Sequence, residues 1–185
     1  MAGVLAAIGF IIHPATEDLM GILEPAWIPS HLLLWIGFTL ALFGFVGIHA
    51  RQSAKAGSLG GVGFVVLFIG TVALTGVFFA ASTVEPLLAA DAPAGLEAIG
   101  MSQSILWVLL GSIFLFSAGG ILFGAAIVQA RVLPKTGGLL ILIACVLLVV
   151  TVVANMPEKV SDAVGVIFSA GLILLGRSLW STKIP

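Results

Sequence analysis

Three histidines are the residues of this chain with the most usable chemistry, and two of them sit where helices would end or begin. His13 closes an apolar opening segment just before Pro14, and His31 opens the apolar run Leu32 to Ile48. A neutral imidazole nitrogen is a common donor to zinc, copper and haem iron. Two such rings at one depth could hold a haem b axially, with Trp35 and Phe38 packing its porphyrin. His13, His31 and Glu85 together offer the ligand types of a hydrolytic zinc site, while histidine with Met20, Met101 or Met156 offers those of copper. Against these stands the plainer reading that both rings are hydrated interfacial side chains. No close pair such as His-Glu-x-x-His occurs.

The third histidine is tied to the second by period. His49 follows His31 by five helical turns at about 100° per residue, so both lie on one face, with Trp35, Phe38, Leu42 and Phe45 between them. A stripe of that kind is the ordinary signature of helix packing. With Arg51 two positions on, His49 is expected against cytoplasmic headgroups.

These residues must be carried by a membrane protein. The 185-residue chain is 61% hydrophobic and 8% charged, whereas soluble domains carry about 25% charge. One all-α domain over residues 1–185 follows, a polytopic bundle of six helices with a short first one, or five if the first does not span. The opening segment lacks a basic n-region and a small-residue cleavage site, so it reads as a helix from Ala2 to Ile12 rather than a signal peptide. The expected helices after it are Leu32 to Ala50, Val62 to Ser82, Ser102 to Ala130, Thr136 to Ala154 and Ser161 to Trp180. Glu85-Pro86 is expected to close the third, and residues 87–101 to form the longest polar loop. Trp27 is expected as an anchor at headgroup depth. Gly120 and Gly124 form a small-xxx-small pattern that admits close helix approach. Ala50-Arg51 with Lys55 recurs as Ala130-Arg131 with Lys135, either a duplicated hairpin or the ordinary spacing of basic turns.

Charge then orients the bundle. Arg51, Lys55, Arg131, Lys135, Arg177 and Lys183 fall on one side and mark the cytoplasmic face, with the C-terminus there too. Every acid falls opposite, from Glu17, Asp18 and Glu24 to Glu158 and Asp162, with Lys159 the one base among them. No expected span has a charge near its centre, which argues against a proton relay, an ion pump or a voltage sensor. No basic nucleic-acid footprint exists, and Cys145, the single cysteine, reads as a small buried apolar side chain.

At His13-Pro14, Trp27-x-Pro-x-His31 and Gly47-Ile-His-Ala-Arg-Gln52 the chain resembles a loose group of small bacterial multi-pass membrane proteins. The resemblance implies a helical bundle in a bacterial cytoplasmic membrane and carries no activity with it. Two functional classes stand. One is a non-catalytic subunit or scaffold that packs on lipid and on other membrane chains or on a second copy. The other is a redox or metal-site protein binding haem b or a transition metal at an outward-facing His13/His31 site. No nucleophile with a base and no phosphate loop point to an ordinary enzyme, and enzymatic activity is left open.

Overall fold

The computed structural model describes residues 1–181, and among them the chain is all helix: α1 (Ala2–Ile12), α2 (Leu19–Ile22), α3 (Trp27–Asp91), α4 (Pro93–Gly100), α5 (Gln103–Ala130), α6 (Lys135–Val153) and α7 (Glu158–Ser181). Lys183 and the chain end, expected at the cytoplasmic side, lie outside the described residues. α3, α5, α6 and α7 are long and apolar enough to cross a membrane. Their outward faces are apolar too, as the exposed Phe43, Trp107 and Val153 show. A surface of that kind suits lipid rather than water.

α3 has 65 residues, which as a straight helix would reach roughly 100 Å, about three times the hydrocarbon thickness. It folds back on itself instead. Gly57 has φ 56° and ψ −158°, a region essentially confined to glycine. Residues 27–56 and 58–91 become antiparallel limbs: the Trp27 indole N–H donates to the Ala81 carbonyl at 2.7 Å, Phe38 meets Phe78, and His49 stacks on Phe64. The expected loop around Arg51 to Gly61 is therefore mostly helix. Ala56 and Leu59 pack with Ala126 and Ala130, so helical backbone is held on both sides and only the glycine departs from it.

Glu85-Pro86 likewise does not close the helix, which continues to Asp91. The strong helix formers Leu87 to Ala90 follow the proline, and Ala89 packs with Ile22, Trp27 and Ala81. The expected polar loop after it also holds α4, opened by Pro93 in its first turn. Among the described residues the two expected helices around Gly57 stand as the limbs of α3, and the short α2 and α4 form inside what were expected to be connections. Trp27 is not a headgroup anchor: it is 2% exposed and lies inside the bundle.

The helices pack in a ring, α3 on α5, α5 on α6, α6 on α7, α7 on α1 and α1 on α3. Lipid supplies little hydrophobic drive between helices, so close backbone approach must supply dispersion. At α5 and α6 that approach uses the expected pair: a Cβ at Gly124 would come within 2.7 Å of the Gly138 carbonyl oxygen, and one at Gly120 would strike the Cys145 sulfur. Phenylalanines 38, 45, 116, 123 and 168 fill the centre. The α3 fold-back and the α5–α6 turn share one end, which carries Arg51, Lys55, Arg131 and Lys135. His13, Glu17, Glu85, Glu158 and Asp162 gather at the opposite, acidic end.

Candidate functional site

Local sequence places the first histidine. The residue before a proline is pushed out of the helical region, so α1 stops at Ile12 and His13 turns with ψ 139° ahead of Pro14. Asp18 then caps α2 by accepting from the Gly21 amide at 3.0 Å. This tight connection brings α3 back beside α1, with His31 in its second turn. His13 and His31 are 5% and 3% exposed, and their Nε2 atoms are 3.4 Å apart.

The other nitrogen of each ring is already engaged. His31 Nδ1 lies 2.9 Å from the Trp27 carbonyl, the acceptor one turn back, and 3.4 Å from Ser30 Oγ. His13 Nδ1 lies 3.1 Å from the Pro14 carbonyl and 3.5 Å from Asp162 Oδ1. Carbonyls and carboxylates only accept, so these neighbours assign the proton of each neutral ring to Nδ1. Both Nε2 lone pairs then point at one another. Two lone pairs at that distance repel unless a cation, either a proton or a metal ion, sits between them.

α7 supplies the rest of the setting. One ligand atom each from His13, Glu158 and Asp162 fall within 4.8 Å of one another. Lys159 donates to the His13 carbonyl oxygen and clips the end of α1 to α7. Its ammonium also stands 3.2 Å from Asp162 Oδ2, at ion-pair distance but without hydrogen-bond alignment. Burial alone would depress the His13 imidazole, but the hydrogen bond and charge of Asp162, helped by Glu17 and Glu158, hold it above its ordinary value. Trp27 roofs the pair, with ring centroids 4.2 Å from His31 and 5.7 Å from His13.

No family model, curated protein or solved structure matches the chain. The geometry of the site therefore carries the functional argument.

Of the residues singled out by sequence, His13 and His31 come together. Trp35 turns aside to pack on Phe79, and Phe38 lies deeper, among Phe10, Phe78, Phe116 and Phe168. Glu85 is half-buried near Glu17 and is outside the group formed by His13, Glu158 and Asp162. Met20, Met101 and Met156 are exposed. His49, part-buried, stacks on Phe64 at a centroid distance of 4.5 Å. Asp162, Glu158 and Lys159 were missed as site residues. Their spacing was the available signal, since positions 158 and 162 share a helix face one turn apart.

Proposed function

We propose that this membrane bundle is a metal-site protein that holds a divalent ion of the zinc type between Nε2 of His13 and Nε2 of His31. The carrying observation is the 3.4 Å separation of two inward lone pairs whose partner nitrogens are both anchored on acceptors. Two nitrogens each about 2.05 Å from a tetrahedral ion stand about 3.3 to 3.4 Å apart. Metal-binding histidines characteristically give their second N–H to a carbonyl or carboxylate, which fixes the ring and the tautomer. Axial haem ligation asks for about 4 Å, with iron midway on the line between the nitrogens. It also needs a porphyrin-wide slot where Trp27 and Phe78 pack on His31, and haem b is set aside. The carboxylates of Glu158 and Asp162 stand beside His13, and hard oxygen donors favour zinc over copper(I). Within such a site, Asp162 positions His13 and offsets the ion's charge, and Lys159 holds the α1 end in place.

A subunit or scaffold role is the second reading. It rests on exposed apolar faces such as Phe43 on α3 and Trp107 on α5, which lipid, a partner chain or a second copy would cover. The two readings differ in metal content. Protein purified in detergent, incubated with zinc and dialysed should retain about one ion per chain, measured by mass spectrometry. A His13→Ala/His31→Ala double variant that retains as much zinc would sink the metal reading and leave the scaffold.

The acidic end is proposed to face outward from a bacterial cytoplasmic membrane, with Arg51, Lys55, Arg131 and Lys135 inside. In a Cys145→Ser background, a cysteine at position 92 should react with a membrane-impermeant reagent in intact cells, and one at position 53 should not. The reverse pattern would invert the map and place the metal site inside.

A further inference from the structure

Beside the histidine pair, but sharing neither imidazole, a cavity of about 200 Å³ runs into the bundle. All five long segments and α1 contribute to its wall, so it belongs to the closed ring rather than to one groove. Its composition changes with depth. Glu17, Glu158 and Ser161 are its polar lining residues, and they belong to the acidic end. The remainder is apolar, with Cys145 and the mutually packed rings of Phe38, Phe116 and Phe168.

Size and charge together narrow the occupant. Apolar cavities of about 150 Å³ stay dry and take up a molecule of the size of benzene, so this one has room for a ring and a short chain. Four carboxylates, those of Glu17, Glu85, Glu158 and Asp162, act on one another at this end. Lys159 is their fixed cation, and it is engaged by Asp162 and the His13 carbonyl. The Glu17 and Glu158 carboxyls form the acidic rim of this apolar hole, and burial with the charges of Glu17 and Asp162 pushes the Glu158 carboxyl up to about 7 against the opposing His13 and Lys159. Glu17 is exposed as a residue, yet apolar surroundings on its inner side raise its carboxyl above the ordinary range, and His13 opposes that rise. An incoming ammonium would relieve it.

We infer that this cavity binds a lipophilic amine, its ring or short alkyl body among Phe38, Phe116 and Phe168 and its ammonium on Glu17 and Glu158. A carboxylate-bearing ligand would meet repulsion at the rim. A neutral alcohol of the same shape would fill the cavity while leaving the rim charges unpaired. The inference does not rest on the metal site, since neither His13 nor His31 lines the cavity.

The test uses the full chain in lipid nanodiscs with a chelator present, so that zinc plays no part, and protein-free nanodiscs as the blank. Phenethylamine, phenethyl alcohol and phenylpropanoate are compared by saturation-transfer NMR. The amine is expected to bind about tenfold more tightly than the alcohol, the scale of one charge-assisted hydrogen bond, and the anion not at all. Glu17→Gln/Glu158→Gln should erase that preference while keeping the alcohol. Val77→Phe and Leu109→Phe, at half-buried lining positions, should lose amine and alcohol alike. Equal binding of amine and alcohol to the unaltered protein would overturn the inference. So would an undiminished preference in the double glutamine variant, which preserves shape and decides the matter even if the phenylalanine variants misfold. Loss of zinc binding in separate experiments would leave this result untouched, and failure here would leave the metal site standing.

Discussion

Replacing His31 with alanine should lower zinc affinity at least about 100-fold, the upper end of what outer-shell substitutions alone produce. The reason is geometric. His31 brings one of two Nε2 lone pairs that stand 3.4 Å apart, and nothing at position 31 in the variant can reach the same point. Asp162→Asn should act through His13 and cost about tenfold, because the amide still fills the space 3.5 Å from His13 Nδ1 but no longer carries charge. Trp35→Ala should change nothing in zinc affinity, since Trp35 packs on Phe79 away from the pair. Competition against a chromogenic zinc chelator, with melting followed on the same samples, separates lost ligation from lost folding. If His31→Ala and Trp35→Ala weaken zinc binding equally in folded protein, the pair is not the ligand set.

The largest effect on assembly should come from a single methyl group at Gly119. A Cβ there would lie 2.1 Å from the Leu67 amide nitrogen and 2.4 Å from its Cα. Both are backbone atoms of α3, so no side chain can step aside and the two helices must separate. Overpacking of a well-packed interior costs typically about 1–3 kcal/mol and occasionally more, and a backbone-to-backbone clash belongs at or above the top of that range. Gly119→Ala should therefore melt far below the parent in detergent or fail to assemble. Gly111, on the same helix, has open space around its Cα, and Gly111→Ala should be neutral or gain up to about 1 kcal/mol from helix propensity. Equal melting of the two variants would show that close approach of α3 and α5 does not hold the bundle.

Both expectations turn on contacts that the linear chain conceals to different degrees. The meeting of His13 and His31 follows from local rules: Pro14 ends α1 in its vicinity, the connection is short, and sequential helices tend to pack side by side. Asp162 and Lys159 reach the same place from the far end of the chain, because α7 closes the ring onto α1. No periodicity in the first helix could announce that neighbour. Gly165 takes part in the closure, lying against the ring of Phe10 so tightly that a Cβ would come within 2.5 Å of it.

Composition, hydropathy and the segregation of charge were enough to determine an all-helical chain with apolar segments of membrane-crossing length, because those properties are sums over residues and do not depend on partners. The small-xxx-small pair Gly120 and Gly124 was also legible, since its spacing is local. Where the chain breaks was not. Gly57 turns α3 back while other glycines nearby stay helical, and Pro86 is absorbed into a helix, because packing of Ala56, Leu59 and Ala89 holds the flanking turns. Trp27 reads as an interfacial anchor until the second limb of α3 presents the Ala81 carbonyl to its indole. Phe38 and Glu85 carry suitable chemistry and the wrong position, one drawn into the phenylalanine centre and the other left outside the acidic group on α7. Residue type determined which side chains could bind an ion, whereas only the tertiary structure decided which nitrogens face each other, because that is settled by which helices become neighbours and how far each is rotated about its axis.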